Sequence, residues 1–581
     1  MLERVTEQLN YWLSDSYFDE KTKEELLAVR NDEKEIEDRF YKDLAFGTGG
    51  LRGVIGAGTN RMNIYTVRKA TQGLANYINK NGDPKKGVAI SYDSRRMSPE
   101  FAKETALCLA ANGIKAYLSD TLRPVPEESF ALRYFGCQAG VEITASHNPP
   151  EYNGYKVYWE DGAQVTPPHD TGIIADVNAV SSYDEVKTMP EKEAAEKGLL
   201  VYFGREIDDA YMEALKKQII HPEVIREMAD DIRIVYTPFH GAGLVPVTRV
   251  LEELGFKHVY VVPEQKDPDP DFTTLEYPNP EDPKAFTLAL KLAKEKDADI
   301  VLATDPDADR LGIYAKDAKT GEYIAFTGNM SGMLIGEYIL RERTLTHTMP
   351  EKPAFVTTIV TTNLAKAIAE KYGCHYVECL TGFKYIGEQI GLLEAEGRPE
   401  SYLMGFEESY GYLTGTHARD KDGVNAALII CRMCAHYKAQ GMTLADALRK
   451  CEEKYGAYRN ALENHALPGQ DGMKKMEAMM TALRNDPPKM VMYLPLTRVQ
   501  DFETHEDRMM ATGEVRPITL PTSNVLKFYY GERITVVVRP SGTEPKLKIY
   551  HAVRGDTPLH ADELLRGWQE AFARITDELK K

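Results

Sequence analysis

The chain has 581 residues, of which 43% are hydrophobic and 28% are charged, and its formal net charge is −18. These proportions are typical of a soluble globular protein, and the length predicts about three to five domains at roughly 100–200 residues per domain. The negative charge argues against nucleic acid or an anionic membrane as the main partner, and the seven cysteines are too sparse for a disulfide framework.

The first twenty residues predict an amphipathic helix. Leu2, Val5, Leu9 and Trp12 recur at helical spacing. Acidic residues occur early and no apolar stretch precedes a cleavage site, so the segment does not resemble a secretory signal. No run in the chain approaches the ~18 apolar residues that span a bilayer. We therefore expect a cytoplasmic protein.

A glycine-dense segment follows, "AFGTGGLRGVIGAG" at residues 45–58, with Arg52 near its centre. Glycines let backbone N–H groups approach phosphate oxygens, and arginine adds a forked cation. Flexible turns have the same composition, so this segment by itself is weak evidence of a phosphate site.

One arrangement of strand, helix and strand occurs three times. The second strand of each copy ends in a loop of unusual composition, "TASHNP", "TDPDAD" or "GFEESYG". Strands that alternate with helices predict layered α/β domains, and open α/β sheets bind ligands beyond the carboxyl ends of their strands. We therefore expect three similar mixed α/β domains whose special loops face one central cleft.

The first of these loops lies within "EITASHNPPEYNGYK", residues 142–156, and places Ser146 beside His147. A serine hydroxyl is a weak nucleophile unless a base or a metal assists it. The segment lacks the Gly-x-Ser-x-Gly elbow of esterase-like hydrolases, and a neighbouring Ser-His pair in a loop usually serves turn formation. Its functional interpretation therefore depends on the other loops.

The second loop carries Asp305, Asp307 and Asp309 at alternate positions. Three oxygen donors in a loop suit Mg²⁺ or Ca²⁺. A calcium-binding EF-hand is excluded, because Arg310 stands at the required glycine and Lys316 at the bidentate glutamate. A solvated acidic turn is the alternative. We disfavour it because three crowded carboxylates directly after an apolar strand are costly without a cation.

The C-terminal region predicts a smaller α+β domain after the proline-marked linker "RNDPPK". In "ITVVVRPSGTEPKLKIYHAV", two strands flank a turn that offers a guanidinium, hydroxyls and backbone donors to a phosphate. A helix ends the chain. The predicted domains are 1–205 with the serine loop, 206–325 with the metal loop, 326–480 with the third loop, and 481–581 with the phosphate loop.

These four motifs together resemble the α-D-phosphohexomutase family. "TASHNPPEYNGYK" is similar to its phosphoserine loop, "DPDADR" to its metal loop, "GFEESYG" to its sugar-binding loop and "RPSGTEPK" to its phosphate-binding loop, in the family's order and across nearly the whole chain. The resemblance implies four domains around one cleft.

The resemblance also implies a role for each matching residue. Ser146 would carry a phosphoryl group and, with the three aspartates, complete a magnesium site. The implied catalytic residues are Ser146, His147, Lys156, Lys384, Arg52 and Arg310, and the metal ligands are Ser146, Asp305, Asp307 and Asp309. The implied substrate-binding residues are Thr381, Gly382, Glu407, Ser409, Arg539, Ser541, Gly542 and Thr543. Either Lys156 or Lys384 could be the general base, and the sequence does not choose between them.

The sugar loop reads Glu-Glu-Ser-Tyr-Gly, which resembles family members that act on glucose phosphates, although many of those have phenylalanine where Tyr410 stands. The implied reaction interconverts glucose 1-phosphate and glucose 6-phosphate, with glucose 1,6-bisphosphate as intermediate and activator. Pentose phosphate mutases and bisphosphate synthases of the same branch are alternatives. A serine-dependent phosphatase and a non-catalytic sugar-phosphate sensor are alternatives of other classes. The expected partner is a small sugar phosphate, and the expected state is a monomer or homodimer.

Overall fold

The computed structural model describes residues 3–47, 49–467, 471–541 and 546–580. The chain divides into two compact units. The first comprises residues 1–327, 383–402 and 409–443, and the second comprises residues 328–382, 403–408 and 444–581. Within the described ranges, no helix is long and apolar enough to cross a membrane.

Three helices precede the first sheet: α1 (Glu3–Ser14), α2 (Glu20–Val29) and α3 (Glu33–Phe40). As the spacing predicted, α1 buries Val5, Leu9 and Trp12 along one face, and Leu2 lies outside the described residues. The Trp12 ring stacks on Phe18 at 4.3 Å and meets Tyr65 edge-on at 5.4 Å. This aromatic cluster packs the helices against α4 (Ile64–Asn81), which carries Tyr65.

The first sheet has the strand order β1-β5-β4-β2-β3-β6. Its elements are β1 (Gly50–Val54), α4 (Ile64–Asn81), β2 (Val88–Tyr92), α5 (Ser98–Ala111), β3 (Ala116–Ser119), α6 (Val125–Phe135), β4 (Ala139–Ile143), β5 (Tyr152–Trp159), α7 (His169–Ala179), α8 (Glu191–Glu196) and β6 (Leu200–Phe203). Alternate residues of β4 and β5, such as Val141 and Val157, enter the hydrophobic core. The residues between them therefore face the opposite side, where α6 packs on the sheet.

The second sheet has the order β11-β10-β9-β7-β8. Its elements are α9 (Arg205–Lys216), α10 (Pro222–Met228), β7 (Arg233–Thr237), α11 (Leu244–Glu253), β8 (His258–Val261), α12 (Thr287–Lys296), β9 (Ile300–Thr304), β10 (Leu311–Lys316) and β11 (Tyr323–Phe326). Strand β9 is wholly buried, and β10 returns antiparallel beside it. The intervening turn, residues 305–310, therefore lies at the carboxyl end of β9.

The third segment contains α13 (Gly328–Leu345), β12 (Ala354–Thr358), α14 (Leu364–Lys371), β13 (His375–Cys379), α15 (Phe383–Ala395), β14 (Tyr402–Glu407), β15 (Gly411–Thr414), α16 (Gly423–Lys438) and α17 (Leu444–Tyr455). In the second unit, its strands follow the order β13-β12-β14, with β12 and β13 parallel. Helices α15 and α16 belong to the first unit.

The last sheet is antiparallel along the order β16-β23-β22-β21-β18-β19-β20, and β17 pairs with β18. Its elements are β16 (Ala457–Ala466), α18 (Gly472–Asn485), β17 (Met490–Val491), β18 (Leu494–Asp501), β19 (Glu506–Met509), β20 (Val515–Pro517), β21 (Leu526–Tyr530), β22 (Ile534–Pro540), β23 (Lys546–Gly555) and α19 (Pro558–Leu579). Short 3-10 turns elsewhere in the chain lie at Pro84–Lys86, Tyr183–Glu185, Pro283–Phe286 and Pro399–Ser401.

The predicted fold class is confirmed: three mixed α/β domains precede a β-rich C-terminal domain. Two details differ from the sequence-based expectation. Each copy of the repeat contains an additional strand and helix between its two predicted strands, namely β3 and α6, β8 and α12, and β13 and α15. The C-terminal sheet takes strand β16 from Ala457–Ala466, ahead of the predicted boundary at residue 481, because β16 pairs with β23 along ten consecutive residues.

Candidate active site

Ser146 lies in the loop after β4 and has a backbone φ of 53°. This left-handed conformation is strained for a residue with a side chain. The Ser146 backbone N–H donates to Thr144 Oγ1 at 2.8 Å, which stabilises the tight turn. The Ser146 side chain is buried, with only 3% of the residue surface exposed. Backbone strain at a buried hydroxyl is typical of a functional position.

The buried Arg95 side chain holds this loop in place through hydrogen bonds to its backbone. Its Nη1 donates to the carbonyl oxygens of Pro149 (2.8 Å) and Tyr152 (3.1 Å). Its Nη2 donates to those of Ser146 (2.5 Å) and Asn148 (2.6 Å). Its Nε lies 3.3 Å from a carboxylate oxygen of Asp93. The planar guanidinium thus holds four backbone carbonyls of the serine loop at fixed positions.

The three aspartates lie in the turn after β9 and are all buried. Each offers a carboxylate oxygen, and these oxygens lie within 4.8 Å of one another. Ala308, between the last two, has a φ of 46°. Asp305 Oδ1 accepts from the Arg310 backbone N–H at 3.0 Å. Local turn geometry therefore points all three carboxylates toward one position.

The serine and aspartate loops meet within the first unit. Ser146 Oγ donates to Asp305 Oδ2 at 3.0 Å, and Thr144 Oγ1 donates to Asp307 Oδ2 at 3.2 Å. Lys156 Nζ donates to Asp307 at 2.8 Å and to Asp309 at 3.1 Å. A hydroxyl, three carboxylates and an ammonium are therefore in direct contact, although the serine and the aspartates are more than 150 residues apart in sequence.

The surrounding charges shift the pKa values of Asp305 and Asp309 in opposite directions. Burial and the two other aspartates raise the pKa of Asp305 well above its usual range. Burial alone would also raise the pKa of Asp309, but the cations led by Lys156 outweigh it and hold that pKa below its usual range. Burial alone would lower the pKa of Lys156, yet Asp307 and Asp309 raise it overall.

The cluster has the donors that a hard divalent cation requires. The Oδ1 atoms of Asp307 and Asp309 are buried and accept no hydrogen bond from any residue in the described ranges. Oxygen-only ligand sets suit Mg²⁺ and Ca²⁺, and a bound cation would compensate the crowded carboxylates. The three aspartates could therefore bind a metal ion.

His147, Arg52 and Arg310 surround the serine. His147 Nδ1 lies 3.2 Å from Ser146 Oγ. Burial lowers the pKa of His147 well below its usual value, and Arg310 and Arg52 lower it further, so the imidazole is neutral near pH 7. Arg52 donates to the Asn148 side chain at 3.2 Å, and Arg310 pairs with Glu281 at 2.7 Å. The sequence-predicted cations thus lie at the serine loop and the metal loop.

Lys384 has a different environment from Lys156. It lies near the start of α15, where its Nζ is 3.8 Å from Asp170 and 3.5 Å from the Val165 carbonyl oxygen. Burial lowers its pKa, and Asp170 opposes this effect. The structure therefore brings Lys156, and not Lys384, into contact with the aspartates.

The remaining predicted residues divide between the two units. In the second unit, Glu407 ends β14, Arg539 lies in β22, and both influence the pKa of Tyr550, which burial raises. Ser541 follows β22, and its backbone N–H donates to the Lys546 carbonyl. Thr381 and Gly382 precede α15. Gly542 and Thr543 lie outside the described residues.

Ser409 belongs to the first unit. It precedes Tyr410, whose φ is 65° and whose carbonyl oxygen accepts from the Leu311 N–H of β10 at 3.0 Å.

The structure adds Lys421, which sequence reasoning missed along with Arg95. Lys421 Nζ lies 3.2 Å from Asp309 and 3.1 Å from Asp420. The segment "RDKDG" at residues 419–423 could have signalled it, because alternating charges precede a helix that Asp422 caps at its N-terminus. For Arg95 the local signal was only the polar end of β2, "SYDSRR".

Three family models match consecutive parts of the chain. They describe α/β/α domains I, II and III of phosphoglucomutase/phosphomannomutase and match residues 43–184, 209–320 and 327–455. These ranges cover well over half of the sequence.

Curated relatives are similar over most of their length. A phosphoglucomutase of Staphylococcus epidermidis is 36% identical over 525 residues, which is 90% of this chain and 93% of the relative. A phosphoglucomutase of Staphylococcus aureus is 36% identical over 523 residues, 90% of this chain and 91% of the relative.

Solved structures share the fold. A putative phosphomannomutase from Thermus thermophilus has a TM-score of 0.67 at 22% identity, covering 92% of this chain and 99% of its own. The open form of the Paramecium phosphoprotein pp63/parafusin has a TM-score of 0.67 at 17% identity, covering 93% and 95%.

Proposed function

The chain belongs to the phosphoglucomutase/phosphomannomutase family, and we propose that it interconverts glucose 1-phosphate and glucose 6-phosphate. One observation carries the proposal. The Ser146 hydroxyl lies 3.0 Å from Asp305, within a buried cluster of three carboxylates that also contacts Lys156. This arrangement suits a serine that accepts and returns a phosphoryl group beside a divalent cation.

Ser146 carries the phosphoryl group in the resting enzyme. In the first transfer, the bond from Ser146 Oγ to phosphorus breaks and a bond from the substrate's carbon-6 oxygen forms, which gives glucose 1,6-bisphosphate. The proton of the carbon-6 hydroxyl passes to a base. After the bisphosphate reorients, the bond between phosphorus and the carbon-1 oxygen breaks, the phosphoryl group returns to Ser146, the carbon-1 oxygen takes the proton back from the base, and glucose 6-phosphate leaves. Trace bisphosphate rephosphorylates any enzyme that loses its phosphoryl group, so it acts as an activator.

Asp305, Asp307 and Asp309 hold the metal, which we propose is magnesium. A divalent ion held there would neutralise negative charge on the phosphoryl group, and the phosphorylated Ser146 would be a further ligand. The open Oδ1 atoms of Asp307 and Asp309 support this assignment.

The cations around Ser146 bind and orient the transferring group. Arg52 and Arg310 flank the loop that carries it, and fixed positive charge there stabilises phosphoryl oxygens. His147 is neutral and adjacent to Ser146 Oγ, so it can hydrogen-bond to the ester oxygen. Lys156 contacts the aspartates directly and its pKa is raised, so it acts as a cation in the metal-free cluster. Burial lowers the pKa of Lys384, which suits a general base better.

The sugar and its second phosphate need separate contacts. We assign Glu407 and Ser409 to sugar hydroxyls, and we assign Thr381 and Gly382 to substrate binding as well. We assign Arg539, Ser541, Gly542 and Thr543 to the phosphate that does not react. These assignments rest on the resemblance of the two loops to the sugar-binding and phosphate-binding loops of the family.

Intact mass and activity test the proposal together. Purified protein should carry one added phosphoryl group, mapped to Ser146. With Mg²⁺ and trace glucose 1,6-bisphosphate, it should convert glucose 1-phosphate to glucose 6-phosphate. Accumulated bisphosphate, faster turnover of a pentose phosphate, or released inorganic phosphate would instead identify the synthase, pentose mutase or phosphatase alternative.

Ser146→Ala should abolish turnover and the added mass, because it removes the only atom that can carry the phosphoryl group in this mechanism. Ser181→Ala, at an exposed serine of the same domain, is the control and should retain full activity. Turnover of Ser146→Ala at the wild-type rate would refute the proposal.

A further inference from the structure

The side chain of Glu142 is a buried carboxyl near the aspartate cluster, and it has no hydrogen-bond partner among the described residues. Glu142 in β4 is 0% exposed, and neither of its carboxylate oxygens forms a hydrogen bond with any residue in the described ranges. Burying an unsatisfied polar group costs free energy, so an unpaired buried carboxyl calls for an explanation. The mechanism above does not use this residue.

Glu142 lies directly opposite Lys156. The two residues are register partners in the antiparallel pair of β4 and β5. Their neighbours Val141 and Val157 enter the hydrophobic core, so Glu142 and Lys156 both point to the face under α6. Directly opposed residues in such a pair have Cβ atoms about 4.5–5.5 Å apart. The Glu142 carboxyl is therefore within reach of the lysine side chain.

Lys156 now occupies the atoms that a metal would need. Its Nζ bonds Oδ2 of Asp307 and Oδ2 of Asp309, two of the three proposed metal ligands. A divalent cation bound to those carboxylates would repel the Lys156 ammonium. It would also neutralise the carboxylates with which the ammonium now pairs. Lys156 then requires another acceptor, because an unpaired buried cation is costly.

We propose that Glu142 is a positioning residue that receives the Lys156 ammonium when a divalent cation occupies the aspartate cluster. This inference rests on the metal site of the proposed function. The electrostatic surroundings agree with it. Burial raises the pKa of Glu142, and Glu128, Asp93 and Asp307 add to that effect, while Lys156 acts in the opposite direction.

Mn²⁺ titration of the full chain by calorimetry tests whether Lys156 moves from the aspartates to Glu142 when the metal binds. In Glu142→Met, Lys156 has no second acceptor and continues to compete for the aspartates, so the Mn²⁺ dissociation constant should rise about tenfold, equivalent to about 1.4 kcal/mol. Glu142→Gln, which retains an acceptor oxygen, should recover part of the affinity. Glu128→Gln replaces a buried carboxyl of the same face whose pKa is raised to about 8, so the amide mimics its protonated form at pH 7 and should leave Mn²⁺ affinity unchanged.

The Lys156→Met background isolates the contact. There, adding Glu142→Met should change Mn²⁺ affinity less than about twofold, because the competing ammonium is gone. Thermal unfolding of the metal-free Glu142→Met variant should occur at or above the wild-type temperature, since no hydrogen bond is lost. Unchanged Mn²⁺ affinity of folded Glu142→Met, or an equal loss in the Lys156→Met background, would overturn the inference.

A Mn²⁺-bound crystal structure provides a direct check. Lys156 Nζ should lie within hydrogen-bonding distance of Glu142. A Lys156 that still bridges Asp307 and Asp309 would overturn the proposed role of Glu142. The outcome is separable from the proposed function. If the chain has mutase activity but Glu142→Met leaves Mn²⁺ affinity unchanged, only this inference fails. If Glu142→Met lowers Mn²⁺ affinity in a chain without mutase activity, only the proposed function fails.

Discussion

Replacing Arg95 by lysine tests whether the serine loop is held by a single buried side chain. Arg95 donates four hydrogen bonds to carbonyl oxygens through two separate nitrogens. Lysine has one nitrogen and reaches only one side of this array, so about two charge-assisted bonds are lost. At roughly 1.5 kcal/mol each, the free energy of unfolding should fall by about 3 kcal/mol.

The same substitution should reduce catalysis, because the Ser146 carbonyl loses its anchor. Misplacing a reacting atom by about 1 Å can lower kcat by roughly 100-fold. Urea denaturation followed by circular dichroism measures the stability, and steady-state kinetics separates kcat from KM.

The neighbouring Arg96→Lys is the matched control. Arg96 is largely exposed and pairs with Asp271. The free energy of unfolding of the Arg96→Lys variant should therefore differ from wild type by no more than about 0.5 kcal/mol. An Arg95→Lys variant with wild-type stability, or one whose defect is confined to KM, would show that Arg95 does not position the serine.

Two further predictions concern the first domain. Burial raises the pKa of Glu128 to about 8, so the folded state retains a proton that the unfolded state releases above about pH 4.5. Between about pH 5 and 8, the wild type should therefore lose stability relative to Glu128→Gln by up to about 1.4 kcal/mol per pH unit, and parallel denaturation profiles of the two proteins would exclude this. Ser146→Gly should be about 1 kcal/mol more stable than Ser146→Ala, because both lose the hydroxyl but only alanine retains the strain of the positive φ. Equal denaturation midpoints, or a more stable alanine variant, would contradict the strain.

The order of residues along the chain is enough to predict each functional loop and its place at a strand end. Alternating apolar strands and amphipathic helices have local periodicity, so the α/β repeat and the loops around Ser146 and Asp305 were predictable. The oxygen donors of the metal loop were predictable for the same reason, since three aspartates within five residues can converge through turn geometry alone.

Contacts between side chains that are distant in sequence became visible only in the folded chain. Lys156 and Lys384 were equivalent candidates in sequence, yet strand pairing places Lys156 on the aspartates and helix packing places Lys384 beside Asp170. Arg95 and Lys421 gave only weak local signals, because their partners lie on other loops. Such contacts depend on strand register and on packing between domains, which local periodicity does not encode.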